Sequence, residues 1–205
     1  MLRSKKYKFI FIHIPKSAGS SIYFALKPFS DPFALKFISS PLKKIGKPIN
    51  IGPEPLDAHS TAKEIQSILG LDFENYFKFV FIRNPWERVC SDYHYILKNN
   101  SHPAHLKTVN TKDLNEFISK EIYVLRPQCD YIFDDSNNQL VDFIGRYENL
   151  EKDFNYVLEK LKINVQLKRF NSNYYRSYKE ILNKESIELI YERYKKDISI
   201  FKYNF

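Results

Sequence analysis

Twice in its first half the chain runs a nearly continuous apolar stretch into a proline and directly on into a helix pattern. "YKFIFIHIPKSAGSSIYFALK" covers residues 7 to 27, and "FKFVFIRNPWERVCSDYHYILK" covers 77 to 98. An apolar run with little polar alternation suits a strand covered on both faces, which is the habit of parallel sheets. A third run, "LVDFIGRYE" at 140 to 148, leads into a helix over 149 to 162. Strands that alternate with helices predict an α/β fold: a three-layer, P-loop-like domain whose central, mostly parallel sheet is flanked by helices. At 205 residues the chain has enough length for one sizeable core, so a single domain over 1–205 is expected.

The rest of the chain fits around that frame. Residues 28 to 55 hold six of the ten prolines together with Gly46 and Gly52, which predicts a long irregular segment, functional or mobile. Ser60, with Lys63 and Glu64 in the following turn, reads as a helix cap, and Gly70 as the stop. Residues 99 to 111 read as a polar loop, 112 to 121 as a short helix and 164 to 168 as a short strand. "RFNSNYYRSY" reads as a polar-aromatic loop and Asn183 as the cap of a last helix, and the aromatic tail "IFKYNF" is expected to fold back on the core.

Open parallel sheets bind ligands beyond the carboxyl ends of their strands. The first strand ends in Lys16, Ser17, Ala18, Gly19, Ser20 and Ser21: a cation, small residues and the start of a helix. Helix starts carry free N–H groups and partial positive charge, so this turn reads as a phosphate cradle. It is not a Walker A loop, because the lysine precedes the glycine; an ordinary strand-to-helix turn capped by a serine would use the same residues. The second strand ends in Arg83, with Arg88 and Ser91 on the helix that follows. Arg83 can grip a phosphate with two prongs while Ser91 donates a hydroxyl; pairing of the arginines with Glu87 and Asp92 is the plainer alternative. The net charge of +8 points to an anionic partner, although no nucleic-acid motif is present. Cys90 and Cys129 offer neither a disulfide framework nor metal spacing, and Cys90 reads as a buried apolar residue. Without a leader pattern or a run of about 20 apolar residues, the expected location is cytoplasmic, or peripheral at the inner face of a membrane.

Five segments in order, "HIPKSAGSS", "FIRNPWERVCSDYHY", "RPQCDYI", "GRYENLEKDF" and "YKKDISIFKYNF", resemble the sulfotransferase superfamily that uses 3′-phosphoadenosine 5′-phosphosulfate (PAPS), in its carbohydrate branch of heparan-, chondroitin- and bacterial-type enzymes. The likeness runs over residues 8 to 205, with 28 to 55 unmatched. It implies an O-sulfotransferase that needs no metal. It also implies that Lys16 contacts the bridging oxygen of the phosphosulfate, and that Ser17, Ala18, Gly19, Ser20 and Ser21 bind the 5′-phosphate. Arg83 and Ser91 would hold the 3′-phosphate, with Tyr175 and Arg176 closing over the nucleotide.

His59 occupies a position that resembles the base of the polysaccharide 2-O-sulfotransferases, and an imidazole suits proton abstraction near neutral pH. His13 competes for that role, with Glu54 and Asp57 as outside candidates. His94 and Gln128 are expected to face the acceptor, and Glu148 to cap or to pair with Arg146. The acceptor would be a glycan or glycolipid, acidic in many members of the branch, and the Lys-, Asn- and Ile-rich composition suits a bacterial envelope precursor. A P-loop-like phosphotransferase or NTPase and a non-catalytic binder of anionic glycans remain the alternatives.

Overall fold

A computed structural model describes residues 1–31, 58–123, 125–168 and 177–205. Four strands form one sheet in the order β1 (Leu2–Ser4), β2 (Phe9–Ile12), β3 (Phe77–Ile82) and β4 (Phe143–Arg146). β1 lies antiparallel to β2, and β2, β3 and β4 run parallel, with Phe11 opposite Phe79 and Phe81 opposite Gly145. Alternation along the strands separates two cores. Phe9, Phe11, Phe79 and Phe81 point to one face, where α1 (Gly19–Leu26) and α6 (Leu150–Leu161) cover them. Ile10, Ile12, Val80 and Ile82 point to the other. There they meet α2 (Ala62–Leu69), α3 (Pro85–Lys98), α5 (Leu114–Ser119), α7 (Tyr178–Ile181), α8 (Lys184–Arg193) and α9 (Lys195–Phe201). One face is thus aromatic, with the Phe11 and Phe79 rings stacked at 5.3 Å, and the other aliphatic. The arrangement is the expected three-layer α/β fold.

Several expectations need correction. β1 was not anticipated; a three-residue strand carries no periodic signal, and it forms because residues 5–8 turn the chain back along β2, with Lys8 at φ 52°. The cap of α2 is Thr61 rather than Ser60: its hydroxyl accepts from the Glu64 N–H, and the Glu64 carboxylate returns a bond to the Thr61 N–H. A short helix, α4 (His105–Val109), interrupts the polar stretch after α3. Residues 164–168 carry no strand. The last helix is two, α8 and α9, joined at Tyr194, whose hydroxyl donates to the Leu125 carbonyl at 2.9 Å. Asn183 caps α8 as expected. The tail does fold back: Phe201 and Tyr203 are buried, and Phe205 meets Trp86 edge-on. Among the described residues no helix is long and apolar enough to cross a membrane.

Candidate active site

The turn after β2 is built from backbone of alternating hand. Lys16 (φ 67°) and Ala18 (φ 64°) adopt the left-handed region, whereas Ser17 between them does not. Such alternation turns successive N–H groups toward one side and makes a concave anion site. Each left-handed non-glycine residue costs about 1–2 kcal/mol, so the surrounding fold must hold this turn in place. Ala18 is the N-cap of α1, and no side chain caps that helix, which replaces the expected serine cap. Ser17 is buried and its hydroxyl donates to Gln128 Oε1 at 3.3 Å; of the three serines, only Ser20 and Ser21 line the cleft above the turn. Gly19 has a reason other than anion approach: a Cβ there would sit 1.7 Å from His13 Nε2. The missing side chain is room for an imidazole.

Arg83 stands just past β3, and its Nη1 donates to the Lys16 carbonyl at 3.3 Å, so the two strand ends meet directly. Nη2 pairs with Glu87 at 2.8 Å, the guanidinium lies 3.8 Å over the Tyr147 ring, and Nε is buried without a hydrogen-bond partner. The expected phosphate arm is therefore also an ion-pair partner. Arg88 is a tie rather than a ligand. It is 1% exposed, and it donates to the carbonyls of Pro15 at 3.0 Å and Arg126 at 2.9 Å. Pro15 O belongs to the entrance of the first turn, so α3 braces the loop it faces.

Lys16, Ser91 and Arg83 line one cleft of about 420 Å³ together with the start of α1. The Lys16 ammonium sits 3.7 Å over the Tyr95 ring, and Asp92 lines the same cleft. Burial, reinforced by Arg83 and opposed by Asp92, brings the Lys16 pKa down to about 8. Burial also pushes the Asp92 carboxyl up, against the pull of Lys16, Arg88 and His102. The cleft's far wall holds two histidines with ring centroids 4.6 Å apart. His13 is stacked on Phe11, and burial, with His59, the N-terminus and Lys16 nearby, lowers its pKa to about 3, so it stays neutral. His59 is exposed, and its Nδ1 lies 3.0 Å from the His13 carbonyl oxygen. A carbonyl only accepts, so Nδ1 carries a proton; in the neutral ring that leaves the lone pair on Nε2.

Not every anticipated residue reaches this cleft. Gln128 is fully buried, its carboxamide engaged by Arg83 and Ser17, so it lies beneath the site and does not face an acceptor. His94 is half-buried on α3 but is not part of the cleft wall. Tyr175, Arg176, Glu54 and Asp57 lie outside the described residues. Glu148 accepts from the Asn84 N–H at 2.6 Å and the Tyr203 hydroxyl at 3.2 Å, a structural post. Cys90 is buried and its thiol is pushed up to about 12, as a packed cysteine requires. Sequence reading missed Tyr95 and Tyr147 as cleft residues and weighed Asp92 only as an ion-pair partner. The spacing of Ser91 and Tyr95, four residues apart on one helix, is the signal that places Tyr95 beside the serine. Among the described residues no cluster of three or more His, Cys, Asp or Glu could hold a metal ion.

The family model described as "Sulfotransferase family" (Sulfotransfer_2) matches residues 1–204. The chain belongs to the sulfotransferase family. An uncharacterised protein of Archaeoglobus fulgidus is 35% identical to this sulfotransferase over 113 residues, 54% of the chain and 88% of the relative. The crystal structure of mouse sulfotransferase SULT7A1 complexed with PAP superposes with a TM-score of 0.53 at 16% identity, covering 96% of this chain and 85% of the mouse chain. At that identity the superposition speaks for the shared fold.

Proposed function

We propose that this sulfotransferase moves the sulfuryl group of PAPS to a hydroxyl of a carbohydrate acceptor by in-line displacement. The observation that carries the reading is the meeting of the two strand-end turns in one cleft, with Arg83 Nη1 3.3 Å from the Lys16 carbonyl. The residues fit a nucleotide with two separated phosphates. The start of α1 has no side-chain cap, Arg83 Nε is buried without a partner, and Lys16 holds an ammonium in the same space. That donor set consists of N–H groups, hydroxyls and cations, as a polyanion requires. The mouse sulfotransferase of similar fold is complexed with PAP, the desulfated product of such a donor.

When bound, the donor supplies the sulfuryl group and a phosphate leaving group. Lys16 and the N–H groups at the start of α1 stabilise the charge that builds on the departing oxygen; loss of one comparable contact in other enzymes costs about 2.7–4 kcal/mol. Arg83 and Ser91 hold the ribose phosphate and so fix the reacting end by its far end. His59 takes the acceptor proton at Nε2, while its Nδ1–H donates to the His13 carbonyl and fixes the ring. The net charge of +8 suits a glycan or glycolipid acceptor with acidic groups.

Calorimetric titration with PAP tests the reading. Wild type should bind, Lys16→Ala and Arg83→Ala should each lose about tenfold or more, and Mg-ATP should bind more weakly than PAP. Sulfate transfer from labelled donor to a glycan panel should follow the same order. No binding of PAP, or tighter binding of Mg-ATP, would refute the assignment.

A further inference from the structure

We infer that Gln128 is a positioning residue that sets the spacing of the two anion-binding turns, so that one nucleotide can engage both. The inference rests on the donor assignment above and concerns a residue that touches no ligand. A carboxamide offers two acceptor sites on oxygen and two donors on nitrogen. Gln128 spends them on both strand ends. Its Oε1 accepts from the Arg83 N–H at 2.8 Å and from the Ser17 hydroxyl at 3.3 Å, and its Nε2 donates to the Arg83 carbonyl at 2.8 Å. The Arg83 peptide is thus paired at both its N–H and its C=O by one side chain, as a neighbouring strand would pair it, one residue past the end of β3.

The glutamine is itself fixed from below. Its own N–H and that of Cys129 donate to the two carboxylate oxygens of Asp197 at 2.7 and 2.8 Å. Asp197 and Gln128 are both 0% exposed. A continuous chain of hydrogen bonds therefore runs from α9, through Gln128, to the residue meant for the 3′-phosphate and to the turn meant for the 5′-phosphosulfate. The requirement is chemical: an aliphatic side chain would leave the Arg83 peptide and Ser17 unpaired, and a carboxylate would set an oxygen against the Arg83 carbonyl.

Two-point binding gains from linkage only if the two points keep their distance. Loss of Gln128 should therefore hurt a ligand with two phosphates and spare one with a single phosphate. The test compares PAP with adenosine 5′-monophosphate (AMP) by calorimetry in wild type and Gln128→Leu, with thermal unfolding as the check on folding. Gln128→Leu should weaken PAP about tenfold or more and AMP less than about twofold. Equal weakening of both ligands, or none of either, overturns the inference.

Gln128→Glu provides a second variant of nearly the same shape. Divided by the wild-type ratio at the same pH, its ratio of PAP to AMP affinity should be depressed at pH 8 and should climb toward one at pH 5.5, as protonation restores a donor to the Arg83 carbonyl. A ratio that ignores pH also overturns it. If the wild type binds neither nucleotide, the donor assignment is what fails. Exchange protection of the Arg83 amide, which Gln128→Leu should abolish, then decides the positioning role alone.

Discussion

Lys16 gives the site a pH signature that can be worked out in advance. Its pKa falls from 10.5 to about 8 because burial outweighs the attraction of Asp92. That drop corresponds to about 3 kcal/mol of disfavour for the ammonium in its empty cleft. A phosphate or phosphosulfate beside it would remove most of that disfavour and raise the pKa again. Binding must then take up a proton wherever the free protein has already lost it. Free Lys16 is protonated to about nine-tenths at pH 7 and about one-tenth at pH 9, so PAP should draw in close to one proton at pH 9 and almost none at pH 7. Affinity should weaken about tenfold per pH unit above 8, until the pKa of the complex is reached. Neither the phosphates, with second pKa values near 6, nor His13, at about 3, titrate in that window. Calorimetry in two buffers of different ionisation enthalpy measures the uptake directly. Lys16→Arg, which stays charged throughout, should bind without uptake. Absence of uptake by the wild type at pH 9, or equal uptake by Lys16→Arg, would refute the reasoning.

Three further outcomes follow from the geometry. His59→Asn should lower kcat for sulfate transfer by about 10²–10⁴ while PAP affinity, read by titration, stays within twofold. Gly19→Ala places a Cβ on the His13 ring; it should cost about 1–3 kcal/mol in denaturant unfolding, and the additional change His13→Ala should recover most of that loss. Cys90, with its thiol pushed up to about 12 and its side chain buried, should resist iodoacetamide at pH 8 in the native protein and react only on unfolding, as mass spectrometry of quenched samples would show.

What could be read in the sequence was what periodic hydrophobicity and strand-tip chemistry record. Phe9–Ile12 and Phe77–Ile82 announce central strands because every residue is apolar or flanked by apolar neighbours, and the residues after them announce anion binding by type and order. β1 escaped because three residues take their structure from a partner strand. Thr61 could have been recognised as the cap, since Glu64 stands three residues beyond it while Lys63 stands three beyond Ser60. Ser17, Gly19 and Arg88 also make tertiary contacts that no local pattern announces: the Ser17 hydroxyl meets Gln128, Gly19 leaves room for His13, and Arg88 reaches the carbonyls of Pro15 and Arg126. Gln128 was expected at the acceptor because its actual partners, backbone atoms 45 residues away and a serine 111 residues away, leave no local pattern.

Asn84 marks the start of α3, caps it through Oδ1, and reaches with Nδ2 to the carbonyl of Asn204 at 3.0 Å. The Arg83–Asn84 corner is thereby fastened to the far end of the chain, as Glu148 fastens it from the middle of the second half and Asp197, through Gln128, from α9. A fragment ending after Lys98 would display both signature motifs to any pattern search and still lack every one of these moorings. Such a fragment would carry the inscription of a nucleotide site without the rigidity that makes it one.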